Sequence, residues 1–274
     1  MKTFYLLLLA VFNVVMISWM GDSSAYYRLS AYTWESDEFR KLSLGSETAS
    51  WETMDAERLA ALMVEHGYDL TGLSGEEISR ESKTADLHAL FQGRPAAFRK
   101  LVRAYETIFK DLEYFPIPKS SRPDTPDVAY EDSWQQKRTY GGERGHAGCD
   151  IMGCERERGF YPVVSISDGV VERMGWLEQG GWRIGIRTES GLYLYYAHLY
   201  SYADGLTEGA SIRAGELLGY MGDSGYGKQE NTVGNFEVHL HVGMYLRTDH
   251  YRELSVNPYW VLKYLEKHRQ VFSY

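Results

Sequence analysis

An unbroken apolar run opens the hydrophobic pattern of the chain. Lys2 precedes this run over residues 3–20, and small residues follow it as far as Ala25. A basic start, an apolar stretch and small residues before a cleavage point are typical of an export signal. Because the run is about 18 residues long, near the minimum for crossing a bilayer, residues 1–25 are predicted to be either a signal peptide or a membrane anchor. Lys2 on the inner side makes the rest of the chain extracytoplasmic in both cases, either secreted or tethered to the outer face of the cytoplasmic membrane.

Helical spacing of apolar residues dominates the following part of the chain. From Phe98 to Leu112 these residues recur every three or four positions, which places them on one face of a helix. A shorter amphipathic helix is predicted from about Asp55 to His66. Ser74 and Glu77 have the spacing of a capping box, which predicts a third helix running towards Phe91. None of these segments carries a catalytic pattern.

A proline-rich stretch separates two differently built parts of the chain. Four of the seven prolines lie between Pro116 and Pro126, and proline at this density resists both helix and sheet. We therefore predict a semi-extended linker over residues 120–138, between a helical N-terminal region at 26–119 and a second domain at 139–274. Glycine usage changes at the same place, because only six of the 27 glycines lie before the second domain.

Short apolar stretches separated by turn residues fill the second domain. This pattern predicts antiparallel strands. The expected fold class is therefore mainly β, a small antiparallel sheet or sandwich preceded by the α-helical N-terminal region. A helix over Pro258–His268, with proline in its first turn, is expected to close the domain. The predicted strands cover Pro162–Ser167, Val170–Trp176, Trp182–Thr188, Leu192–His198, Leu217–Met221 and Phe236–Met244.

Charge and cysteine content limit the functions that the chain can have. The 38 Asp and Glu residues outnumber the 29 Lys and Arg residues. The formal net charge of −9 argues against DNA or RNA as a partner, because nucleic-acid binding requires neutralisation of phosphates. With only two cysteines, neither a disulfide framework nor a cysteine-rich zinc module can hold the chain together, so a metal would be bound by His and carboxylate side chains. Cys149 and Cys154 are expected either to close a small disulfide loop or to leave Cys149 as a small buried residue.

Histidines and one aspartate supply the residues for such a metal site. Period-two alternation along the last predicted strand puts His239 and His241 on one face. His146 and Asp150 lie four positions apart, which places them on the same side of their segment. Two imidazoles and a carboxylate make a three-ligand zinc site with one position left for water. His198, in the motif Tyr-Ala-His-Leu, would on its own be interpreted as a strand-end residue facing solvent.

The order of these motifs resembles that of the lysostaphin-type (LytM) zinc endopeptidases, which cut peptidoglycan peptides. Gly-His-x-Gly-x-Asp, Asp-Gly-x-Val, Tyr-Ala-His-Leu, His-Leu-His and a near-terminal Asn-Pro follow one another over most of the second domain. The resemblance implies a groove on a small antiparallel sheet in which His146, Asp150 and His241 bind one Zn²⁺ per chain. It also implies that His198 and His239 act on the reacting water and carbonyl, and it leaves open which of the two is the general base.

The expected function follows from this resemblance. The protein is predicted to be an exported zinc-dependent endopeptidase that hydrolyses peptide bonds in peptidoglycan stems or cross-bridges through a zinc-activated water. Its partners would be peptidoglycan peptides, together with a membrane if residues 3–20 form an anchor, and no nucleic acid. The alternative is a non-catalytic LytM-type scaffold or regulator in cell division, sporulation or wall remodelling. The enzyme is favoured because all five site positions are filled.

Overall fold

A computed structural model of the protein describes residues 2–22, 29–45, 55–84 and 94–274. Within these ranges, no helix combines the length and the apolar character needed to cross a membrane. One short 3₁₀ turn, Thr33–Glu35, accompanies the helices. The α-helices of the described residues are α1 (Lys2–Asp22), α2 (Asp37–Arg40), α3 (Ala56–Glu65), α4 (Gly75–Thr84), α5 (Pro95–Phe109) and α6 (Tyr259–Leu265).

The helices α3, α4 and α5 form where the sequence predicts them. Asp55 caps α3, because its side chain accepts a hydrogen bond from the backbone amide of Arg58 over 2.8 Å. Helix α4 begins with the predicted capping box, in which the amide of Glu77 donates to Ser74 Oγ and the amide of Ser74 donates to Glu77 Oε2. The apolar face of α5 is buried as predicted. The predicted continuation of α4 towards Phe91 lies outside the described residues.

The regular secondary structure of the second half of the chain is mainly β-strand. The strands of the described residues are β1 (Lys119–Ser120), β2 (Val128–Ala129), β3 (Lys137–Arg138), β4 (Arg144–Gly145), β5 (Cys149–Gly153), β6 (Pro162–Val164), β7 (Gly169–Leu177), β8 (Gly181–Arg187), β9 (Tyr193–Tyr202), β10 (Ser211–Ile212), β11 (Leu217–Met221), β12 (His239–Leu246), β13 (Leu254–Val256) and β14 (Val271–Phe272). Seven of them form an antiparallel sheet in the order β10-β7-β8-β9-β12-β5-β2, to which β6, β11 and β13 are added. The predicted fold class, a mainly β domain preceded by helices, is confirmed.

Strand β12 lies near the centre of the sheet, between β9 and β5. Leu240 and Val242 are fully buried on its core face, so His241 between them faces the opposite side. In the strand register, His241 lies opposite Asp150 on β5 and opposite Ala197 on β9. The predicted alternation therefore holds along β12, and the register brings an imidazole and a carboxylate side by side on one face.

The helical region and the sheet share one buried core. Arg40 of α2 donates from Nε to the backbone carbonyl oxygen of Ser255 on β13 over 2.9 Å. Phe115 and Ile117, which follow α5, are fully buried, and β1 in the proline-rich stretch pairs in parallel with β14. The extended segment between the two parts is therefore attached to the β-structure. The domain boundaries drawn from the sequence stay a prediction.

Candidate metal centre

The three predicted metal ligands meet on the exposed face of the sheet. His146 precedes β5, Asp150 lies on β5 and His241 lies on β12. His146 Nε2 lies 2.8 Å from His241 Nδ1, and each of these two nitrogens lies 3.0 Å from Asp150 Oδ1. Within the described residues these side chains form a group that could hold a metal ion. The structure brings the predicted ligands together, and their role as ligands stays a prediction.

The size and chemistry of this triangle of donor atoms fit zinc. A tetrahedral zinc ion with N and O ligands at about 2.0–2.2 Å separates its ligand atoms by about 3.3 Å. The observed separations of 2.8 and 3.0 Å are slightly shorter, so a small opening of the triangle would admit the ion. Two imidazoles and one carboxylate are also a donor set that leaves a fourth position of zinc free.

A backbone carbonyl orients His146, and a glycine leaves room for His241. The Nδ1–H group of His146 donates to the carbonyl oxygen of Ser133 over 2.9 Å, which leaves the Nε2 lone pair directed at the triangle. Gly148 allows the neighbouring strand to come close, because a Cβ at this position would lie 2.3 Å from the carbonyl oxygen of Val242 and 2.7 Å from His241 Cε1. The second glycine of the Gly-His-x-Gly-x-Asp motif therefore makes room for the imidazole of His241.

The electrostatics of the centre favour a cation. Burial raises the pKa of Asp150, but hydrogen bonds with His146 and His241 outweigh this and hold the pKa of the carboxyl well below its usual range. Burial lowers the pKa of His241, so its imidazole is neutral near pH 7. Arg138 donates from Nη2 to Asp150 Oδ2 over 2.7 Å and leaves Oδ1 for the triangle. An ionised carboxylate and a neutral imidazole are the protonation states that metal binding requires.

The two histidines predicted to be catalytic lie next to each other beside the triangle. The ring centroids of His198 and His239 are 4.6 Å apart. Each imidazole donates its Nδ1–H to a backbone carbonyl oxygen over 2.7 Å, that of Ser224 for His198 and that of Glu237 for His239. In the neutral state Nε2 therefore carries the free lone pair of both rings. His239 Nε2 lies 3.7 Å from Asp150 Oδ1.

His198 combines an unusual backbone conformation with burial. Its φ angle is 63°, in the left-handed region that residues other than glycine seldom adopt, and its amide donates to the carbonyl oxygen of Gly180 over 2.8 Å. The side chain is buried, so the interpretation of an isolated His198 as a solvent-facing residue is not what the structure shows. Burial lowers the pKa of His198 well below its ordinary value, and the neighbouring His239 and His241 lower it further.

A groove of about 770 Å³ passes over these five residues. Tyr195 lines it beside His241, and Tyr245 lines it next to Tyr195. Tyr226 and Phe236 line it beside His198. Four arginines that no sequence motif marked also line the groove: Arg138, Arg144, Arg173 and Arg183. No spacing distinguishes them among the 29 Lys and Arg residues, and only the fold shows that they converge.

The two cysteines do not form a disulfide. Both are free, Cys149 buried and Cys154 exposed. Cys149 Sγ lies 3.2 Å from the carbonyl oxygen of Glu131, and burial raises the pKa of its thiol to about 12. Of the two alternatives for this pair, the structure shows Cys149 as a small buried residue next to Asp150.

Comparison with known proteins identifies the family. Residues 144–258 match the sequence model of peptidase family M23. The L-Ala–D-Glu endopeptidase of Bacillus subtilis (strain 168) is 40% identical over 171 residues, which are 62% of this chain and 49% of that protein. The chain thus spans about half the length of this curated relative. A crystallised protein of Ruminococcus gnavus ATCC 29149, provisionally described as the glycyl-glycine endopeptidase lytM, is 38% identical with a TM-score of 0.77, covering 91% of this chain and 98% of that one.

The fold and the site define a LytM-type metallopeptidase domain, and the chain belongs to peptidase family M23. The high coverage in the R. gnavus comparison extends the likeness beyond the β domain to the helical region before it. The family predicted from the order of the motifs is therefore confirmed, and with it the class of metalloendopeptidases.

Proposed function

We propose that the protein is an exported zinc-dependent endopeptidase that hydrolyses peptide bonds of peptidoglycan. One observation carries this proposal. The donor atoms of His146, Asp150 and His241 converge within 3.0 Å of one another, and the free nitrogens of His198 and His239 lie beside them in the same groove. A metal site with an open position next to two acid–base groups is what metal-assisted hydrolysis requires.

His146, Asp150 and His241 would hold the zinc ion. When bound, zinc supplies a Lewis acid that lowers the pKa of water and polarises a peptide carbonyl. The chain prepares these ligands in two ways. The backbone carbonyl oxygen of Ser133 accepts a hydrogen bond from His146 Nδ1–H and so keeps Nε2 free, while Arg138 donates to Oδ2 of the Asp150 carboxylate.

His198 and His239 would handle the protons of the reaction. Each carries its proton on Nδ1, held by a backbone carbonyl, so each Nε2 can accept a proton from the attacking water. The imidazolium formed in this way can then donate to the oxyanion or to the leaving amine. Burial keeps the pKa of His198 low, so that this ring starts the reaction in its neutral, accepting form.

The substrate class is proposed from the two relatives. The B. subtilis protein is named for an L-Ala–D-Glu bond and the R. gnavus protein is described for a glycyl-glycine bond. The first type of bond occurs in peptidoglycan stems and the second in cross-bridges. A peptide of peptidoglycan is the substrate class that these names share.

Export is proposed from the N-terminal segment, because peptidoglycan lies outside the cytoplasmic membrane. The sequence pattern of residues 1–25 supports it. In α1 the apolar side chains from Leu7 to Val15 are exposed and not covered by the rest of the described chain. Fractionation of the native host cell and N-terminal sequencing of the protein test this proposal. We expect an extracytoplasmic protein that begins after Ala25 or retains residues 3–20, and a cytoplasmic protein would contradict it.

Digestion of purified peptidoglycan tests the enzymatic part of the proposal. The zinc-loaded protein is incubated with peptidoglycan, and mass spectrometry identifies the new amino and carboxyl termini. We expect peptide cleavage that stops with a chelator and returns when zinc is added. Protein that carries one zinc ion per chain and releases no fragment would contradict the enzyme and favour the non-catalytic scaffold.

A further inference from the structure

We propose that Arg183 and Arg144 form a carboxylate-binding subsite in the groove, which selects substrates with an acidic residue next to the cleaved bond. This inference rests on the proposed peptidase function and adds a determinant of specificity to it. The ligand is the free carboxylate of a glutamyl residue in a peptidoglycan stem peptide.

The charges of the groove leave two arginines without a partner. Arg138 is bonded to Asp150 over 2.7 Å, and Arg173 lies 3.7 Å from Glu208. For Arg183 and Arg144 there is no ion pair with any residue that the structure describes. A positive surplus therefore remains at this end of the groove.

Both arginines also present buried nitrogens that lack a hydrogen-bond acceptor. Arg183 Nη1 and Arg144 Nε are out of contact with solvent and have no partner among the described residues. A buried donor without an acceptor is unfavourable, and a guanidinium without one more so. The fork of N–H groups on arginine matches the two oxygens of a carboxylate. Because these nitrogens are covered, a carboxylate in the groove would reach them when the guanidinium turns towards it, and the missing hydrogen bonds favour that turn.

The carboxylates of the protein that line the groove do not fill this position. Glu237 is bonded to Arg156 over 2.7 Å. Glu253 also lines the groove and is exposed, and among the described residues no ion pair joins it to either arginine. The two arginines thus remain available to a ligand.

A row of tyrosines connects the two arginines to the metal centre. The ring of Tyr195 lies 5.9 Å from that of His241 and 6.2 Å from that of Tyr245. Burial raises the pKa of Tyr195, and the positive charge of Arg183 acts against this rise. Burial likewise raises the pKa of Tyr245, and Arg144 opposes it. Arg183 lies two residues before Gly185, the residue that pairs with Tyr195. Both arginines thus lie within electrostatic reach of these tyrosines, and they line the same groove as the metal centre.

The position and charge of this subsite distinguish two kinds of peptidoglycan bond. A glutamyl residue within a peptide uses one of its carboxyl groups in the chain and keeps the other free. A glycyl-glycine bridge has no such group. The subsite therefore favours cleavage next to a glutamyl residue in a stem peptide over cleavage of a glycine bridge.

Paired peptides test the subsite on the full zinc-loaded chain. One is a stem tetrapeptide that contains L-Ala–D-Glu, and the other is the same peptide with the free D-Glu carboxylate converted to a carboxamide. We expect wild-type kcat/KM to be on the order of tenfold higher or more for the acidic peptide. In Arg183→Gln this preference should fall to within about twofold of unity through a loss on the acidic peptide alone.

Variants and a binding measurement separate the subsite from a structural role and from the proposed function. Arg144→Gln should reduce the same preference, and Arg103→Gln, at an exposed position on α5 outside the groove, should leave it unchanged. Calorimetric titration of both peptides into zinc-free protein gives a second readout, in which the acidic peptide binds more tightly to the wild type and not to Arg183→Gln.

The outcomes that would overturn the subsite are specific. Equal cleavage and equal binding of the two peptides by the wild type would do so. A loss in Arg183→Gln that is the same for both peptides would show a structural role instead. If neither peptide nor whole peptidoglycan is cut, the proposed function fails, and the calorimetric comparison still decides the subsite.

Discussion

The guanidinium of Arg138 donates from Nη2 to Oδ2 of Asp150 over 2.7 Å, and the same nitrogen lies 3.3 Å from His146 Nδ1. The contact with Asp150 holds the carboxylate so that Oδ1 faces His146 and His241. It also places a positive charge near the position of the metal. Orientation of the ligand and repulsion of the cation therefore act in opposite directions on zinc affinity.

Replacement of Arg138 measures which of these effects is larger. Loss of a partner that orients a metal ligand typically weakens metal affinity by about 10–100-fold, and we expect Arg138→Gln to bind zinc more weakly by that factor. Competition with a chromogenic chelator gives the affinity. Arg122→Gln, at an exposed position, is the control and should match the wild type. Tighter binding by Arg138→Gln would mean that repulsion dominates.

Loss of one ligand should remove the metal. His241→Ala takes one nitrogen from the triangle and leaves only two ligands, so we expect the variant to contain far less than one zinc ion per chain after dialysis. Elemental analysis of the dialysed protein measures this. His66→Ala is the matched control, because His66 contacts Glu81 in the helical region. Full zinc content in His241→Ala would contradict the assigned ligand set.

His239 should be needed for the reaction and not for the metal. We expect His239→Ala to retain zinc and to lose about 10²–10⁴-fold in kcat, the usual contribution of a positioned acid–base group. Peptide cleavage and zinc content are measured on the same sample. His250→Ala, which alters a histidine bonded to Glu35, should keep its activity. If His239→Ala lost its zinc, His239 would be a ligand and the role proposed for it would be wrong.

Burial of His198 predicts a pH dependence of stability. Its pKa is lowered in the folded protein, whereas in the unfolded chain it is about 6.5. Below that pH the unfolded chain binds a proton that the folded protein excludes. The contribution of His198 to the free energy of unfolding is therefore present above about pH 6.5 and is lost as the pH falls towards the folded pKa.

Urea unfolding of zinc-free protein measures this contribution. Between about pH 7.5 and pH 5 the wild type should lose more stability than His198→Gln, because glutamine does not titrate in this range. Groups common to both proteins cancel in the difference. Parallel curves for the two proteins would contradict a buried neutral His198.

Gly148 should tolerate no side chain. In Gly148→Ala the new Cβ would lie 2.3 Å from the carbonyl oxygen of Val242 and 2.7 Å from His241 Cε1. We expect a loss of about 1–3 kcal/mol in the free energy of unfolding together with weaker zinc binding, because His241 must move. Gly72→Ala is the control, since nothing lies within 4 Å of a Cβ there. Wild-type zinc affinity in Gly148→Ala would show that the close approach is not needed.

The alternation of β12 could be predicted from the sequence, and the division of roles on it could not. His239 and His241 share one face, so a period of two treats them alike. Pairing separates them, because His241 lies opposite Asp150 whereas His239 lies opposite Met152. Strand pairing depends on residues about 90 positions away, which local sequence patterns do not report.

Other parts of the site carry no sequence signal at all. The groups that fix His146 and His198 are the backbone carbonyls of Ser133 and Ser224, and every residue has such a group. Arg183 lies on β8 of the large sheet and Arg144 on β4 of the separate β3-β4 pair. No distinctive spacing marks either residue, and both line the groove only because the fold places these two elements along it. The helices and the main strands could be predicted because each rests on a local pattern. The set of five site residues came instead from the order of the motifs and its resemblance to a known family, and their roles stay a prediction.

His241 and Asp150 lie opposite each other on two paired strands, and this pairing limits which parts of the domain can change during evolution. The relative positions of the two side chains are fixed by backbone pairing in the middle of the sheet, and the loops that border the groove lie outside that pairing. Loops can lengthen, shorten or change their charge without shifting the pairing, whereas one residue inserted in either strand would turn a ligand to the opposite face. New substrates can therefore arise through loop exchange while the relative positions of His241 and Asp150 stay unchanged.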